Sequence, residues 1–318
     1  MELTGTKRQQ HFIELAAAHA EDFKTRVAQH DRENSFPFEN VAAMKASGYT
    51  NMTVPAELGG GGVSVLDFTL AQERLAQGDG PMAVAVNMHL LIVGVYADVW
   101  RSGEQSLRPF LESIAREHLI LAGGTNDPRM SSAIGLGGLN DTTRRAEKVP
   151  GGYRVNGRAG FGTMSACADF LVETAHYDDP QQGLQCLAFL VPTQTPGVTI
   201  QNNWDTLSIR ASASNDIVWE NVFVPDKDVM VRPARIMDLF VNSLFSWGVP
   251  PLDACYLGIA QAARDYAINW ASARTQVPFE RPMSHYPGNQ FLAAEMEIGL
   301  RAARVEGIRG QVFTLAIT

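Results

Sequence analysis

Apolar positions recur at intervals of three and four along the first part of the chain, alternate along the middle, and return to helical spacing at the end. Phe12, Leu15, Ala16, His19 and Phe23 predict a first helix, with charged residues between them. Phe38, Val41, Ala42 and Lys45 predict a shorter one, stopped by Gly48. Val54-Pro55-Ala56-Glu57-Leu58 leads into four glycines, Gly59 to Gly62, which predict a loop because glycine admits tight turns and positive φ. A helix opens at Ser64 or Val65 and stops at Gly78-Asp79-Gly80. The longest apolar stretch, Met82 to Val99, starts at Pro81 and is interrupted by Asn87, His89 and Asp98. A membrane span wants about 20 apolar residues with few polar ones, so this stretch is expected to be a buried helix and not a span. Leu107, Phe110, Leu111 and Ile114 predict one more helix.

From about residue 119 the pattern changes to short alternating runs. Tyr153 to Arg158 reads as strand and turn around Asn156-Gly157. Asp169 to Ala175, Cys186 to Val191 before Pro192, Val198 to Ile200, and Asp216 to Pro225 read as strands. The third zone carries a long helical stripe from Leu252 through Tyr256, Ile259, Ala263 and Tyr266 to Trp270. Pro278, Pro282 and Pro287 break the pattern, and a second helix follows from about Gly288 to the end. The expected class is α+β: a helical domain at 1–118, a β-barrel or sandwich domain at 119–230, and a C-terminal helical domain at 231–318. Interfaces between such units favour ligand crevices.

Composition sharpens this picture. The chain has 318 residues, 45% hydrophobic and 19% charged, which is globular composition sufficient for two or three domains. A net charge of −8 argues against a nucleic-acid partner held by phosphate contacts. Cys167, Cys186 and Cys255 are far apart, which excludes a disulfide scaffold and a cysteine-rich zinc site and fits a reducing, cytoplasmic compartment. The N-terminus has no apolar core of a signal peptide.

No phosphate loop, H-E-x-x-H or G-x-S-x-G motif is present. Gly135-Leu136-Gly137-Gly138-Leu139-Asn140 imitates a dinucleotide fingerprint but ends in Asn and lacks a long helix after it, so it reads as a glycine loop. The seven histidines are scattered, and no metal site is expected. His89, inside the most apolar helix, has two readings: a hydrogen-bonded core residue, or a histidine facing a ligand cavity as an acid or base.

Gly48-Tyr49, Val54-Pro55, the four glycines and Glu73-Arg74-Leu75-Ala76 occur in order. They are followed by Thr125-Asn126-Asp127-Pro128 with Ser131-Ser132, then Arg145 to Lys148, Gly152-Tyr153 and Phe161-Gly162-Thr163. Ile209 to Ser214, Val222 to Pro225, Gly258 to Gln261 and Ala273 to Gln276 complete the series. On this ordered set the chain resembles the acyl-CoA dehydrogenases and their fold relatives, which are flavoproteins. The resemblance implies that family's architecture, with the C-terminal helical bundle incomplete. It also implies FAD as cofactor. Phe161 and Thr163 would line the flavin ring, with Phe in place of the usual Trp. Thr125 would reach its pyrimidine end. Asn126, or Asp127, stands for the usual Glu, and Ser132 for a serine that binds the pyrophosphate. Arg274 resembles an arginine that crosses a dimer interface to the diphosphate, although Val277-Pro278 follows where the family has Phe-Gly.

Dehydrogenation of a thioester needs a base for the α-proton while the flavin takes a hydride from the β-carbon. In the family the base is a glutamate. Most members place it beyond the point where this sequence ends, and others place it at the position of Gly248. The catalytic residue is therefore unassigned. The apolar ending at Thr318 reads as a fragment of a longer protein, or as a shortened relative that folds as an oligomer. The leading expectation is an acyl-CoA dehydrogenase of fatty acid metabolism. It would form trans-2-enoyl-CoA, pass electrons to an external acceptor, and assemble as a homodimer or homotetramer. The alternatives are a flavin-dependent monooxygenase using His89, Thr163 or Ser165 near the flavin, and a degenerate binder of acyl-CoA.

Overall fold

The computed structural model describes residues 7–123, 144–231 and 234–315. Six helices lead: α1 (Lys7–Phe23), α2 (Val27–Glu33), α3 (Phe38–Ser47), α4 (Val65–Ala76), α5 (Gly80–Arg101) and α6 (Arg108–Glu117). The spacing in α1 is met, since Phe12, Ala16, His19 and Phe23 are buried. α2 carried no apolar stripe, and it buries no residue. In the glycine loop, Gly60 and Gly61 run so close to the backbones of Val54 and Met52 that any Cβ would overlap them, at 2.3 and 2.8 Å.

α4 opens with a reciprocal cap. Ser64 Oγ accepts from Asp67 N at 3.2 Å, and Asp67 Oδ2 accepts from Ser64 N at 3.0 Å. Ser64→Ala is expected to cost about 1 kcal/mol, read as a shift of the urea midpoint without a change of slope. α5 is capped by Asp79, whose Oδ1 accepts from Met82 N at 3.0 Å. The most apolar 18-residue window of α5 is 78% buried within the fold, so packing absorbs its hydropathy.

The middle of the chain forms an eight-stranded sheet among the described residues. Its strands are β1 (Leu121–Ala122), β2 (Arg145–Val149), β3 (Gly152–Gly162), β4 (Phe170–Asp179), β5 (Gly183–Pro192), β6 (Val198–Ile200), β7 (Asn215–Pro225) and β8 (Val229–Val231). The order is β6-β7-β3-β2-β4-β5-β8, with β1 on β4. β1 and β2 meet β4 in parallel, and the other pairs are antiparallel. Val155, Leu171, Phe189, Trp219 and Val224, from four different strands, share one core, so the sheet curls over its own apolar face.

Two long helices end the chain: α7 (Ala234–Ala273) and α8 (Pro287–Leu315). The apolar stripe marked the long helix from Leu252, with Gly248 and the two prolines near its start; the helix begins earlier, at Ala234. In the structure Pro250 and Pro251 lie inside α7. Proline removes a helix hydrogen bond and costs about 3 kcal/mol, and packing of α7 along both α4 and α5 outweighs that local loss.

Candidate functional site

The seam between sheet and helices is marked by Met164, which follows β3 and inserts, fully buried, into the helical core beside residues of α4, α5 and α7. Around it the backbone is unusual. Phe161 (φ 56°), Met164 (φ 64°), Ile209 (φ 57°) and Ala213 (φ 44°) all occupy the left-handed region. Such conformations cost on the order of 1–2 kcal/mol per non-glycine residue and concentrate at functional sites. The two segments are laced together. Met164 N donates to Ser212 O at 3.0 Å, Ser165 Oγ to Ala213 O at 3.0 Å, and Asn215 Nδ2 to Ser165 Oγ at 3.2 Å.

This lacing holds Phe161 half exposed, at 50%. The edge-to-face neighbour of Phe161 is Trp204, with ring centroids 5.7 Å apart. Trp204 is itself fixed: its Nε1 donates to Ile209 O at 3.1 Å, and its backbone N to Asn215 Oδ1 at 3.1 Å. Asn34, just after α2, donates to Trp204 O at 3.0 Å and ties this brace to the N-terminal helices. Beside Phe161, the hydroxyls of Thr163 and Ser214 are 2.9 Å apart, and those of Ser214 and Ser212 are 2.7 Å apart. All three residues are buried. Arg210, the charged side chain of this segment, is engaged by Asp205 at 3.1 Å and by Thr206 O at 2.8 Å. The shelf therefore offers an exposed aromatic face and neutral hydroxyls, a donor set suited to a flat, neutral heteroaromatic ring and not to a metal ion.

Of the residues predicted from sequence, the structure brings Phe161 and Thr163 together. Thr125, Asn126 and Ser132 lie outside the described residues. Arg274 sits just past the end of α7, exposed, with its guanidinium 4.9 Å from the centre of the Trp270 ring. Among the described residues it makes no hydrogen bond, ion pair or ring contact with the shelf. Trp204, Ser212 and Ser214 were not singled out as site residues. The alternating Ser212-Ala213-Ser214 was the available signal.

His89 resolves to its core reading. Leu121 N donates to His89 Nδ1 at 3.0 Å, which leaves Nε2 to donate to Thr50 O at 2.9 Å. The ring is fully buried, and burial pushes it down to about 4, so it is neutral and stitches α5 to β1 and to the turn after α3. Ser165 is likewise buried and bonded inward. Gly248 lies on α7 where a Cβ would meet Leu91 Cδ1 at 3.6 Å, an ordinary contact, so the position has room for a side chain but carries none. A separate groove of about 720 Å³ runs between α4, α7 and α8, walled by Leu70, Val249 and Leu300. The Glu73–Arg304 ion pair, at 2.5 Å, lies along it. Of the described site residues predicted from sequence, Phe161, Thr163 and Arg274, none lines it.

Comparison with known proteins gives these features a family. Residues 6–117 match the family model for the acyl-CoA dehydrogenase N-terminal domain. YdbM of Bacillus subtilis (strain 168), assigned to the acyl-CoA dehydrogenases, is 32% identical over 303 residues, covering 93% of this chain and 75% of YdbM. The amino sugar nitrososynthase DnmZ of Streptomyces peucetius is 31% identical over 261 residues, 78% of this chain and 60% of DnmZ. The structure of KijD3 with FMN and dTDP-3-amino-2,3,6-trideoxy-4-keto-3-methyl-D-glucose superposes with a TM-score of 0.84 at 26% identity, covering 98% of this chain and 74% of KijD3. The ordered motifs, the strained seam between curled sheet and helices, and the extended match to YdbM together place this chain in the acyl-CoA dehydrogenase family.

Proposed function

We propose that the chain is a flavin-dependent oxidoreductase that oxidises an acyl-CoA to the trans-2-enoyl-CoA and passes the electrons to an external acceptor. The observation that carries this reading is the shelf at the end of β3, where a half-exposed Phe161 stands beside the Thr163 hydroxyl on a backbone strained into place. A flavin, as FAD, supplies two-electron acceptance from carbon when bound there. Phe161 offers its ring face to the cofactor, and Trp204 holds that face in position. Thr163 offers a hydroxyl at the ring edge. Arg274, exposed and always charged, suits a diphosphate through paired donors. Thr125, Asn126 and Ser132 belong to the same reading through the resemblance. The division of the chain at residues 118 and 230 rests on the change of pattern along the sequence, and a cytoplasmic location on the widely spaced Cys167, Cys186 and Cys255. Exposed Tyr266, Phe291 and Ile298 on α7 and α8 support a homodimer or homotetramer.

The test is an absorbance spectrum of the full-length protein, before and after anaerobic addition of acyl-CoAs of several chain lengths. A flavin band bleached by one of them is the expected result, and a purified protein that takes up no flavin overturns the reading. Phe161→Ala is expected to weaken flavin binding about tenfold, the size of a lost aromatic contact, measured by quenching of flavin fluorescence.

A second reading is favoured by Gly248, which presents no carboxylate where some family members carry the base, and by the likeness to DnmZ and KijD3. In it, the same shelf serves a monooxygenase working with reduced flavin and O₂. The buried, inward-bonded His89 supplies no base for it. Oxygen consumption on addition of a flavin reductase, without bleaching by any acyl-CoA, would select this reading over the first.

A further inference from the structure

The hydroxyls of Thr163, Ser214 and Ser212 form a continuous chain, with steps of 2.9 and 2.7 Å, running from the shelf into fully buried surroundings. A hydroxyl donates one proton and accepts through two lone pairs. In a buried row of three, the directions are coupled: if Thr163 donates outward, Ser214 donates to Thr163, and if Thr163 accepts from outside, it donates inward to Ser214. Among the described residues, a second acceptor within reach of the Thr163 proton is Phe161 O, at 3.5 Å and therefore weak. Ser165 and Asn215 lie beside the row and are engaged with Ala213 O and with each other.

Resting on the reading that a flavin edge faces Thr163, we infer that Ser214 is a positioning residue that lets the Thr163 hydroxyl reverse between donor and acceptor with the oxidation state of the cofactor. An oxidised flavin presents a lone pair at its reactive nitrogen, and the two-electron reduced form presents an N–H there. The row satisfies the first with all hydroxyls pointing outward and the second with Thr163 turned inward to Ser214. No proton leaves the row, because each hydroxyl rotates and keeps its own hydrogen. The hydride and proton balance remains that of the acyl-CoA and the flavin.

Removing Ser214 takes away the inward acceptor. The Thr163 proton then points outward in both states, which suits the oxidised ring and opposes the N–H of the reduced one. Ser214→Ala is therefore expected to weaken binding of reduced flavin relative to oxidised flavin by about tenfold, one hydrogen bond's worth. For a two-electron couple, that lowers the midpoint potential by about 30 mV. Ser212→Ala acts in the same direction, because Ser214 is left with Thr163 as its acceptor. Ser214→Thr, which keeps a hydroxyl, should restore the wild-type ratio. Ser165→Ala serves as the control, because it loosens the same turn without interrupting the row.

The experiment titrates the apoprotein forms with FAD and with dithionite-reduced FAD, and compares the ratio of the two dissociation constants. Thermal unfolding of each apoprotein is recorded alongside. A tenfold change of ratio in the two row variants, absent in Ser165→Ala, supports the inference. A Ser214→Ala protein that binds FAD with a ratio within twofold of wild type overturns it and leaves the flavin reading intact. Should Ser214→Ala fail to fold, Ser212→Ala decides by the same criterion. A wild-type protein that binds neither form overturns the flavin reading, and this inference with it.

Discussion

Trp247→Ala is expected to destabilise the protein by about 3–5 kcal/mol, the range for truncating a buried tryptophan, measured by urea unfolding. Trp247 is 4% exposed and lies where α7 crosses α5 and α4. Its indole rests directly on Gly94, where a Cβ would come within 2.4 Å of Cδ2. Phe68 of α4 also packs against it, with ring centroids 6.2 Å apart. The indole N–H is also used, donating to Asp98 Oδ2 at 2.7 Å. Trp247→Phe separates the two contributions. It keeps most of the ring and leaves Asp98 with Ser243 at 3.0 Å and Arg101 at 3.5 Å, so its cost is expected to be about 1–2 kcal/mol. Gly94→Ala approaches the same contact from the other helix, and overpacking there should cost about 1–3 kcal/mol. A Trp247→Ala protein within 1 kcal/mol of wild type would mean that the α5–α7 crossing is held elsewhere.

That crossing also shows what the sequence can and cannot display. The α1 stripe was legible because one face of the helix is buried along its whole length, and Phe12, Ala16, His19 and Phe23 mark it. The core character of α5 was legible from its polar interruptions, Asn87, His89 and Asp98, since its 22 residues are by length alone enough for a span. Gly94 and Trp247 gave no such signal, since their fit depends on two helices far apart in the chain. The stripe of α7 was legible from Leu252 to Trp270, whereas its first turns from Ala234 were not singled out, and Pro250 and Pro251 are held in the helix by packing against α4 and α5. β2 was missed because only Ala146 of its five residues is buried, which leaves no alternation to detect.

The same contrast holds at the site. Phe161 and Thr163 were reached through the resemblance, and the geometry places them on one shelf. The hydroxyl row escaped because Thr163 and Ser214 are 51 residues apart, and a serine in a loop carries no mark of burial. Arg144 is an extreme case. A charged residue beside a loop reads as solvated, yet it is fully buried, 3.1 Å from the equally buried Glu173, with Nε donating to Thr174 O at 2.6 Å. Pairing across strands, which makes that burial tolerable, is a tertiary property.

Two buried groups are expected to pull the pH dependence of stability in opposite directions. His89 is pushed by burial from 6.5 down to about 4. Between those values the unfolded chain binds the proton and the folded one does not. Its contribution is therefore complete above pH 6.5 and is lost as pH falls toward 4. Asp79 is raised by burial from 3.8 to about 6, against the opposing effects of Met82 N, His30, Arg26 and Asn40. Here the folded protein holds the proton that the unfolded chain releases. Its contribution is complete below pH 3.8 and is lost as pH rises through 6. Each shift corresponds to about 3 kcal/mol, so over pH 4–6 the two nearly cancel. Asp79→Asn, which can still accept from Met82 N, removes the second titration. Relative to wild type, it should lose about 3 kcal/mol between pH 6 and 4. His89→Gln should show the reverse slope, gaining on wild type by a similar amount as pH falls over the same range. Its absolute stability will be lower, because one amide does not reproduce both the bond from Leu121 N and the bond to Thr50 O. Urea unfolding of the three proteins at half-unit steps of pH measures the differences directly, and titrations common to all three cancel. Parallel profiles for wild type and both variants would show that neither group is titrating in the folded core.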